Sequence, residues 1–247
     1  MEKYYTFDRI NNEKILSFYS RKPLDFGGPA FEGEGRRKLI ETIETDFGYR
    51  FRAVKQCTKQ IHSNRVVIVD EQNLGRETGE ADGLLTDLRG VALEIHTADC
   101  QSVFLYDPVR RVIGNVHSGW KGTVQRIAPK AAGMMMDHYG CRPQDIEIYI
   151  NPSILQCCFE IEEDVVEQFS AIVDVSKYFR KDRVVDGRQK YYMDTTAINR
   201  DLMADLGVRK ENIFLSGVCT MCGRREYHSY RGDHHVTGRN GSMICLK

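Results

Sequence analysis

Three side chains that can bind a metal lie in polar clusters beside strand-like runs of this sequence. His62 precedes the run RVVIVD, Cys100 ends the cluster TADC at 97–100, and His117 ends the run RVIGNVH. Two imidazoles and a thiolate supply three ligands of a catalytic zinc site, whose fourth position stays open to water or substrate. A zinc site at His62, Cys100 and His117 is therefore one hypothesis, although their spacing matches no local metal-binding motif and such a trio is more often packed or solvated than metal-bound.

The same atoms also permit nucleophilic catalysis. Cys100 would then be the nucleophile and His117 its general base, because a neighbouring histidine lowers the pKa of a thiol. Asp99 would orient the imidazole. Both hypotheses require a thiol and an imidazole at hydrogen-bonding distance, so residue types alone leave them open.

Four further cysteines form two short motifs. A zinc ribbon built on Cys219 and Cys222 would need a second ligand pair about 15–20 residues away, where only the two histidines at 234–235 stand. A packed, reduced pair of thiols is the prediction for this C-x-x-C. Cys157 and Cys158 are adjacent, and vicinal thiols seldom form a strain-free disulfide, so we expect them in the core.

The elements that must position these residues are mostly strands. Runs rich in Val, Ile and aromatic residues between turn residues predict strands at 15–20, 65–70, 83–87, 91–97, 102–107, 111–117, 145–150, 212–217 and 242–246. Apolar periodicity predicts helices over 36–47, 123–139, 162–173 and 194–206, with Pro129 in a first turn or at a kink. Consecutive strands without βαβ alternation favour an α+β fold of packed mixed sheets flanked by helices.

Composition excludes several classes of protein. The 247 residues contain 35 Lys and Arg against 35 Asp and Glu, so no basic excess indicates binding to nucleic acid or anionic lipid. No apolar run approaches the roughly 18 residues of a membrane helix. The N-terminus shows no secretory signal, and eight cysteines are too few for a disulfide scaffold, so we expect a cytoplasmic protein with reduced thiols. No linker or repeat divides the chain, which predicts one domain over 1–247.

Seven motifs together resemble the YfiH family. They are Gln60-x-His62, TADC at 97–100, HSGWKG at 117–122, the PSI and CFE strings within 152–160, CTMC at 219–222, SYR at 229–231 and TGR at 237–239. This family was once labelled multicopper polyphenol oxidase, or laccase-like. Its members were later recognised as purine nucleoside phosphorylases with adenosine deaminase activity.

The resemblance implies a fold, a metal and a reaction. The implied fold is similar to that of cysteine-hydrolase-like toxin domains, and the family's zinc ligands fall on His62, Cys100 and His117. The implied reaction is phosphorolysis of adenosine, inosine or methylthioadenosine to the free base and a ribose 1-phosphate, together with deamination of adenosine. For catalysis we expect Cys100, His117 and Asp99. For substrate binding we expect Arg231, Lys121, Trp120 and Asn64.

Other functions fit the same residues. A Cys100/His117 amide hydrolase that edits cell-wall precursors is one alternative, and a zinc-stabilised binding protein is another. Oxidation by several coppers is not expected, because the chain has only seven histidines. The trio could bind copper in vitro, since copper binds such ligands more tightly than zinc.

Overall fold

A computed structural model describes residues 2–28 and 32–247. The helices are α1 (Gly33–Phe47), α2 (Trp120–Val124), α3 (Ile127–Tyr139), α4 (Glu163–Ser170) and α5 (Thr195–Asp205). The strands are β1 (Tyr4–Tyr5), β2 (Ile15–Ser20), β3 (Ala53–Gln56), β4 (Val66–Ile68), β5 (Gly83–Thr86), β6 (Val91–Thr97), β7 (Gln101–Asp107), β8 (Val112–Ser118), β9 (Glu147–Ile150), β10 (Glu160–Glu162), β11 (Phe179–Val185), β12 (Arg188–Met193), β13 (Ile213–Leu215) and β14 (Asn240–Leu246).

The strands form three sheets. A five-stranded sheet has the order β1-β2-β14-β6-β3, a six-stranded sheet has the order β13-β9-β7-β8-β5-β4, and a small sheet has the order β10-β12-β11. Parallel pairs are confined to β3–β6, β4–β5 and β9–β13, and the other pairs are antiparallel. The α+β fold with mixed sheets is therefore confirmed.

The two larger sheets pack face to face, and helices cover their outer faces. Alternation along β6 sends Val91, Leu93 and Ile95 into the interface between the sheets. Its other face carries Ala92 toward α1 and the buried Glu94, which Arg36 of α1 meets at 2.8 Å. On the far side, α3 packs against the six-stranded sheet. The small sheet, α4 and α5 enclose a further cluster of buried residues.

Two features of the helices follow from local chemistry. Asp194 caps α5 by accepting a hydrogen bond from the Ala197 amide at 2.9 Å. The helix expected over 123–139 is interrupted, because Arg126 adopts a left-handed conformation with φ of 58° between α2 and α3. Pro129 consequently lies in the first turn of α3, where it breaks no helical hydrogen bond.

The strand prediction was correct for nine segments and missed five. The missed strands are β1, β3, β10, β11 and β12. Three of them form the small sheet, which is rich in charged side chains and carries no long apolar run. No helix of the described residues is long and apolar enough to span a membrane.

Candidate metal and nucleoside site

The pairing of strands brings the predicted metal ligands together. Cys100 lies in the tight turn between β6 and β7, where Asp99 takes a positive φ of 87°. Because β7 pairs with β8 and Gln101 lies opposite Ser118, Cys100 is placed beside the end of β8 that carries His117. His62 reaches the same point from the loop between β3 and β4, also with a positive φ. Three loops at one edge of the sheets thus converge.

The geometry of the trio suits a metal ion. The ligand atoms of His62, Cys100 and His117 all lie within 4.8 Å of one another, and Cys100 Sγ lies 4.0 Å from His62 Nε2. A tetrahedral zinc with bonds of about 2.0–2.3 Å would hold such atoms about 3.3–3.8 Å apart. Small movements of the exposed His62 ring would close that difference. His117 is 3% exposed, so one ligand is rigid and another is adjustable.

Asp82 organises two of the three ligands, and sequence reasoning missed it. Its fully buried carboxylate accepts a hydrogen bond from His117 Nδ1 at 2.9 Å. It also accepts the backbone amides of Ile61, His62 and Ser63 at 2.7–3.2 Å, which shapes the His62 loop. Since a carboxylate only accepts, Nδ1 of His117 carries the proton and Nε2 is free to face a metal.

The charges of this group are strongly coupled. Burial opposes ionisation of Asp82, but hydrogen bonds from His117 and Ser63 outweigh it and lower the pKa to about 2. Burial would also raise the pKa of Cys100, yet the two histidines lower it to about 6. The pKa of His117 rises to about 9 against the effect of burial, because Cys100 and Asp82 are both negative. Near neutral pH Cys100 is therefore a thiolate, the form that binds metals and attacks electrophiles.

Gly119 leaves the space that the trio occupies. A Cβ atom at this position would lie 2.9 Å from Cys100 Sγ and 3.0 Å from His62 Cδ2. We expect Gly119→Ala to weaken zinc binding roughly 10- to 100-fold, because overpacking costs about 1–3 kcal/mol. Zinc titration of the metal-free protein would measure this change.

Gly133→Ala in α3 is the matched control, since a Cβ atom there meets nothing within 4 Å. Equal zinc affinity in the two variants would contradict the role assigned to Gly119.

Two cavities meet at the trio. The first, about 640 Å³, is lined by His62, Ala98, Asp99, Cys100, Gln101, Ser118, Gly119, Trp120, Lys121, Ile154, Phe159, Glu160, Ile161, Glu162, Asp164, Val165, Lys190, Thr195, Tyr230, Arg231 and His235. The second, about 670 Å³, lies on the other side and includes His117, Lys59, His96 and Arg239 in its wall. His62, Cys100 and Tyr230 line both cavities. A metal held by the trio would therefore be accessible from either side.

Comparison with known proteins agrees with this arrangement. Residues 36–247 match the family described as multi-copper polyphenol oxidoreductase laccase. The chain belongs to this family. It is 33% identical to "Purine nucleoside phosphorylase YlmD" of Bacillus subtilis over 76% of this chain and 69% of that protein. It is 30% identical to "Purine nucleoside phosphorylase" of Borreliella burgdorferi over 93% of this chain and 91% of that protein. A protein named "Adenosine deaminase RL5", from an unknown prokaryote, is 33% identical over 76% of this chain and 74% of its own.

Solved structures show the same fold. The crystal structure of YfiH from Bacillus licheniformis superposes with a TM-score of 0.83 at 25% identity, over 94% of this chain and 93% of that one. YlmD from Geobacillus stearothermophilus gives a TM-score of 0.85 at 22% identity, over 95% of this chain and 93% of that one. The resemblance to YfiH proteins is therefore confirmed.

The family's oxidase description does not match the ligands in this chain. Within 2–28 and 32–247, the groups of three or more candidate ligand residues are the His62–Cys100–His117 trio and a cluster of four cysteines. Only the first contains histidine. Laccase chemistry requires several coppers held mainly by histidines, and one such group cannot provide them.

The substrate-binding residues expected from the sequence divide into two groups. Trp120, Lys121 and Arg231 line the first cavity. Trp120 is half-buried and also packs against the cluster around α4. The side chain of Asn64 turns elsewhere: its amide donates to the Gln125 carbonyl at 3.2 Å and accepts from Lys130. Asn64 therefore stabilises the junction of α2 and α3 and lines neither cavity.

Asp99 holds the wall of the first cavity in place. Its carboxylate accepts hydrogen bonds from Thr220 Oγ1 at 2.6 Å, from Ser229 Oγ at 2.7 Å and from the Arg231 amide at 2.7 Å. With both oxygens engaged, Asp99 positions the loop that carries Tyr230 and Arg231. Its expected role as a catalytic group stays a prediction.

Besides the expected Trp120, the first cavity contains two aromatic residues that were not predicted, Tyr230 and Phe159. Tyr230 is 45% exposed, and its ring lies 4.5 Å from that of His235. Phe159 packs under the Arg231 guanidinium at 5.9 Å. Tyr230 and Phe159 belong to the SYR and CFE motifs, but among the residues of these motifs only Arg231 was expected to bind substrate, so both aromatic side chains were overlooked.

The predicted core packing of Cys157 and Cys158 is wrong. Cys157 is exposed and Cys158 is half-buried, and both lie beside Cys219 and Cys222. The thiols that lie beside the C-x-x-C motif therefore precede it in the chain by some sixty residues. The two histidines at 234–235 do not take part in this cluster.

Proposed function

We propose that this chain is a zinc-dependent purine nucleoside phosphorylase that also deaminates adenosine. The observation that carries the proposal is a His, Cys and His trio, oriented by Asp82, at the junction of two open cavities. Three ligands with an accessible fourth position are typical of catalytic rather than structural zinc. Relatives named for both activities support the choice of substrate.

His62, Cys100 and His117 would hold the zinc, and copper could replace it in vitro. When bound, the zinc would supply a Lewis acid that polarises an oxygen of the substrate or of water. The protein keeps Cys100 as a thiolate and holds His117 Nε2 toward the metal through Asp82. Neither the ionisation of Cys100 nor the orientation of His117 requires a buried side chain to move.

The first cavity offers separate partners for phosphate and for the purine. Lys121 lies in its wall, and among the described residues no carboxylate forms an ion pair with it. Arg231 donates to the Glu160 carbonyl at 2.9 Å, which leaves its other guanidinium N–H groups to bind an anion. Tyr230, Trp120 and Phe159 present aromatic surface on which a purine can stack.

These groups fit the chemistry of phosphorolysis. A phosphate oxygen forms a bond to the anomeric carbon of the ribose while the bond to the purine breaks, and the purine leaves with the electron pair and takes a proton. Fixed cations beside the phosphate hold it in place and offset its charge. Deamination instead adds water to C6 of adenine and releases ammonia, so it needs no phosphate.

The experiment is a product analysis of purified protein given adenosine with and without phosphate. We expect adenine and ribose 1-phosphate only when phosphate is present, and inosine in either case. A control with the Cys100→Ala variant excludes contaminating enzymes. Adenosine that stays unchanged under all conditions would contradict the proposal.

One observation favours a second function. Cys100 and His117 form a thiolate and imidazolium pair when no metal is bound, as in cysteine hydrolases. An amide hydrolase would cleave its substrate without zinc and would be inhibited by thiol alkylation. Full amidase activity in chelator-treated protein, with no consumption of nucleoside, would favour this alternative.

A further inference from the structure

The cluster of four cysteines is formed by two loops that begin at the same edge of one sheet. Cys157 and Cys158 lie in the loop after β9, and Cys219 and Cys222 lie in the loop after β13. Because β9 and β13 pair in parallel, both loops begin at the same edge of the six-stranded sheet. A bridge between Ser153 and Cys219 then joins them.

Backbone hydrogen bonds fix the two loops to each other. The Ser153 amide donates to the Val218 carbonyl at 3.2 Å, and the Thr220 amide donates to the Ser153 carbonyl at 3.0 Å. The four sulfurs are thus preorganised by backbone that is itself paired.

The distances between the sulfurs match the edges of a metal-centred tetrahedron. Cys158 Sγ lies 3.4 Å from Cys222 Sγ, and Cys157 Sγ lies 3.7 Å from each of these sulfurs. All four sulfurs, including that of Cys219, lie within 4.8 Å of one another. Zinc–sulfur bonds of about 2.3 Å require sulfurs about 3.8 Å apart, whereas a disulfide requires about 2.05 Å.

Packing does not explain this cluster. Cys157 and Cys222 are exposed, and an exposed thiol gains little from the hydrophobic effect. Cys57, Cys141 and Cys245, by contrast, are buried in the hydrophobic clusters of the core. Convergence of four sulfurs at the surface therefore needs another cause.

The surroundings also suit a metal bound by four thiolates. Such a site with zinc carries two negative charges in excess. Arg224 and Arg225 line the same depression as Cys158 and Cys222 and can offset that charge. No position is left for substrate, since four protein ligands complete a tetrahedron.

We propose that Cys157, Cys158, Cys219 and Cys222 bind a second, structural zinc ion. This zinc would fasten the loop before Phe159 to the loop before Tyr227. Both loops also hold Asp99, through the Ile154 amide and through Thr220 Oγ1. The zinc would therefore stabilise the wall of the first cavity without contacting the substrate. This second zinc site does not depend on the reaction proposed above.

Metal analysis of protein purified with zinc present tests the proposal. We expect two zinc ions per chain in the wild type, one for each ligand group. Cys222→Ser should retain only the zinc of the trio, and Cys100→Ala only the zinc of the cysteine cluster. Cys141→Ala, which removes a buried thiol outside both groups, is the control and should retain both. An unchanged zinc content in Cys222→Ser would overturn the proposal.

A second measurement, on the wild type and on Cys100→Ala, requires no variant of the four-cysteine cluster. Loading the metal-free protein with Co²⁺ alone should give strong thiolate-to-metal charge transfer and intense visible bands typical of a tetrahedral thiolate site. These signals should persist in Cys100→Ala. A disulfide between Cys158 and Cys222 would overturn the zinc site. It would lower the mass of the native protein by two hydrogens, and it would protect both thiols from alkylation until a reductant is added.

Discussion

Replacing Cys100 by alanine is expected to remove the zinc of the trio and nearly all phosphorolysis at once. Cys100 supplies the only thiolate of that group, and the two remaining imidazoles bind zinc far more weakly. Without the metal we expect kcat/KM for adenosine to fall at least about 1,000-fold, equivalent to about 4 kcal/mol of transition-state stabilisation. Zinc content and ribose 1-phosphate formation should be measured on the same preparation.

Cys222→Ser, a variant of the four-cysteine cluster, is the matched control for Cys100→Ala. Cys222→Ser also removes one thiol and one proposed zinc, yet we expect it to retain phosphorolysis within about tenfold of the wild type, since no residue of that cluster lies in the trio. If Cys100→Ala keeps both zinc ions but loses activity, Cys100 acts as a nucleophile. Full activity in Cys100→Ala that has lost the zinc of the trio would contradict any metal-dependent reaction at this site.

Asp82→Asn is expected to weaken both zinc binding and activity about 10- to 100-fold, the effect usually seen when the partner of a metal-binding histidine is removed. An amide in place of the carboxylate can donate to His117 Nδ1, which would favour the proton on Nε2 and block the metal. The substitution also removes the negative charge of the carboxylate, which accepts hydrogen bonds from the amides of the His62 loop and from His117. Zinc affinity should be measured by competition with a chelator, alongside kcat/KM.

Asp107→Asn is the matched control for this change. Asp107 is equally buried, and it also holds a turn through backbone amides, those of Val109 and Arg110 at 2.8 and 2.9 Å. Both variants are expected to lose stability, but only Asp82→Asn should lose zinc affinity. An equal loss of zinc affinity in both would mean that Asp82 acts through stability alone.

The trio could be proposed from its residue types together with the resemblance to the YfiH family, but Asp82 could not. A single aspartate before a strand is a common turn residue. Its role depends on β5 pairing with β8, where Gly83 lies opposite Val116 and Asp82 consequently reaches His117. That pairing joins segments more than thirty residues apart, and no local pattern specifies it.

One missed element did carry a local signal. The hairpin of β11 and β12 turns at Asp186 and Gly187, which both have positive φ, as expected of the Asp-Gly pair in a tight hairpin turn. Its strands are rich in Arg and Lys and mostly half-buried or exposed, so their apolar content did not indicate a sheet. The split between α2 and α3 had no such signal, since arginine rarely adopts the left-handed conformation of Arg126.

The cysteine motifs show that distance along the chain is a poor guide to which cysteines meet in the fold. A zinc ribbon would place the second ligand pair about 15–20 residues from Cys219 and Cys222. The structure places Cys157 and Cys158 beside them instead, because two parallel strands direct their following loops to the same edge. The topology of the fold, as well as adjacency in sequence, can bring candidate metal ligands together.

The most direct test of the proposed function is metal removal and restoration followed by product analysis. Purified protein is stripped with a chelator, supplied with zinc or left metal-free, and given adenosine with phosphate. We predict that ribose 1-phosphate forms only after zinc is restored, and that restored Cys100→Ala stays inactive. Equal ribose 1-phosphate formation by the metal-free protein, or none by the zinc-restored wild type, would contradict zinc-dependent phosphorolysis at His62, Cys100 and His117.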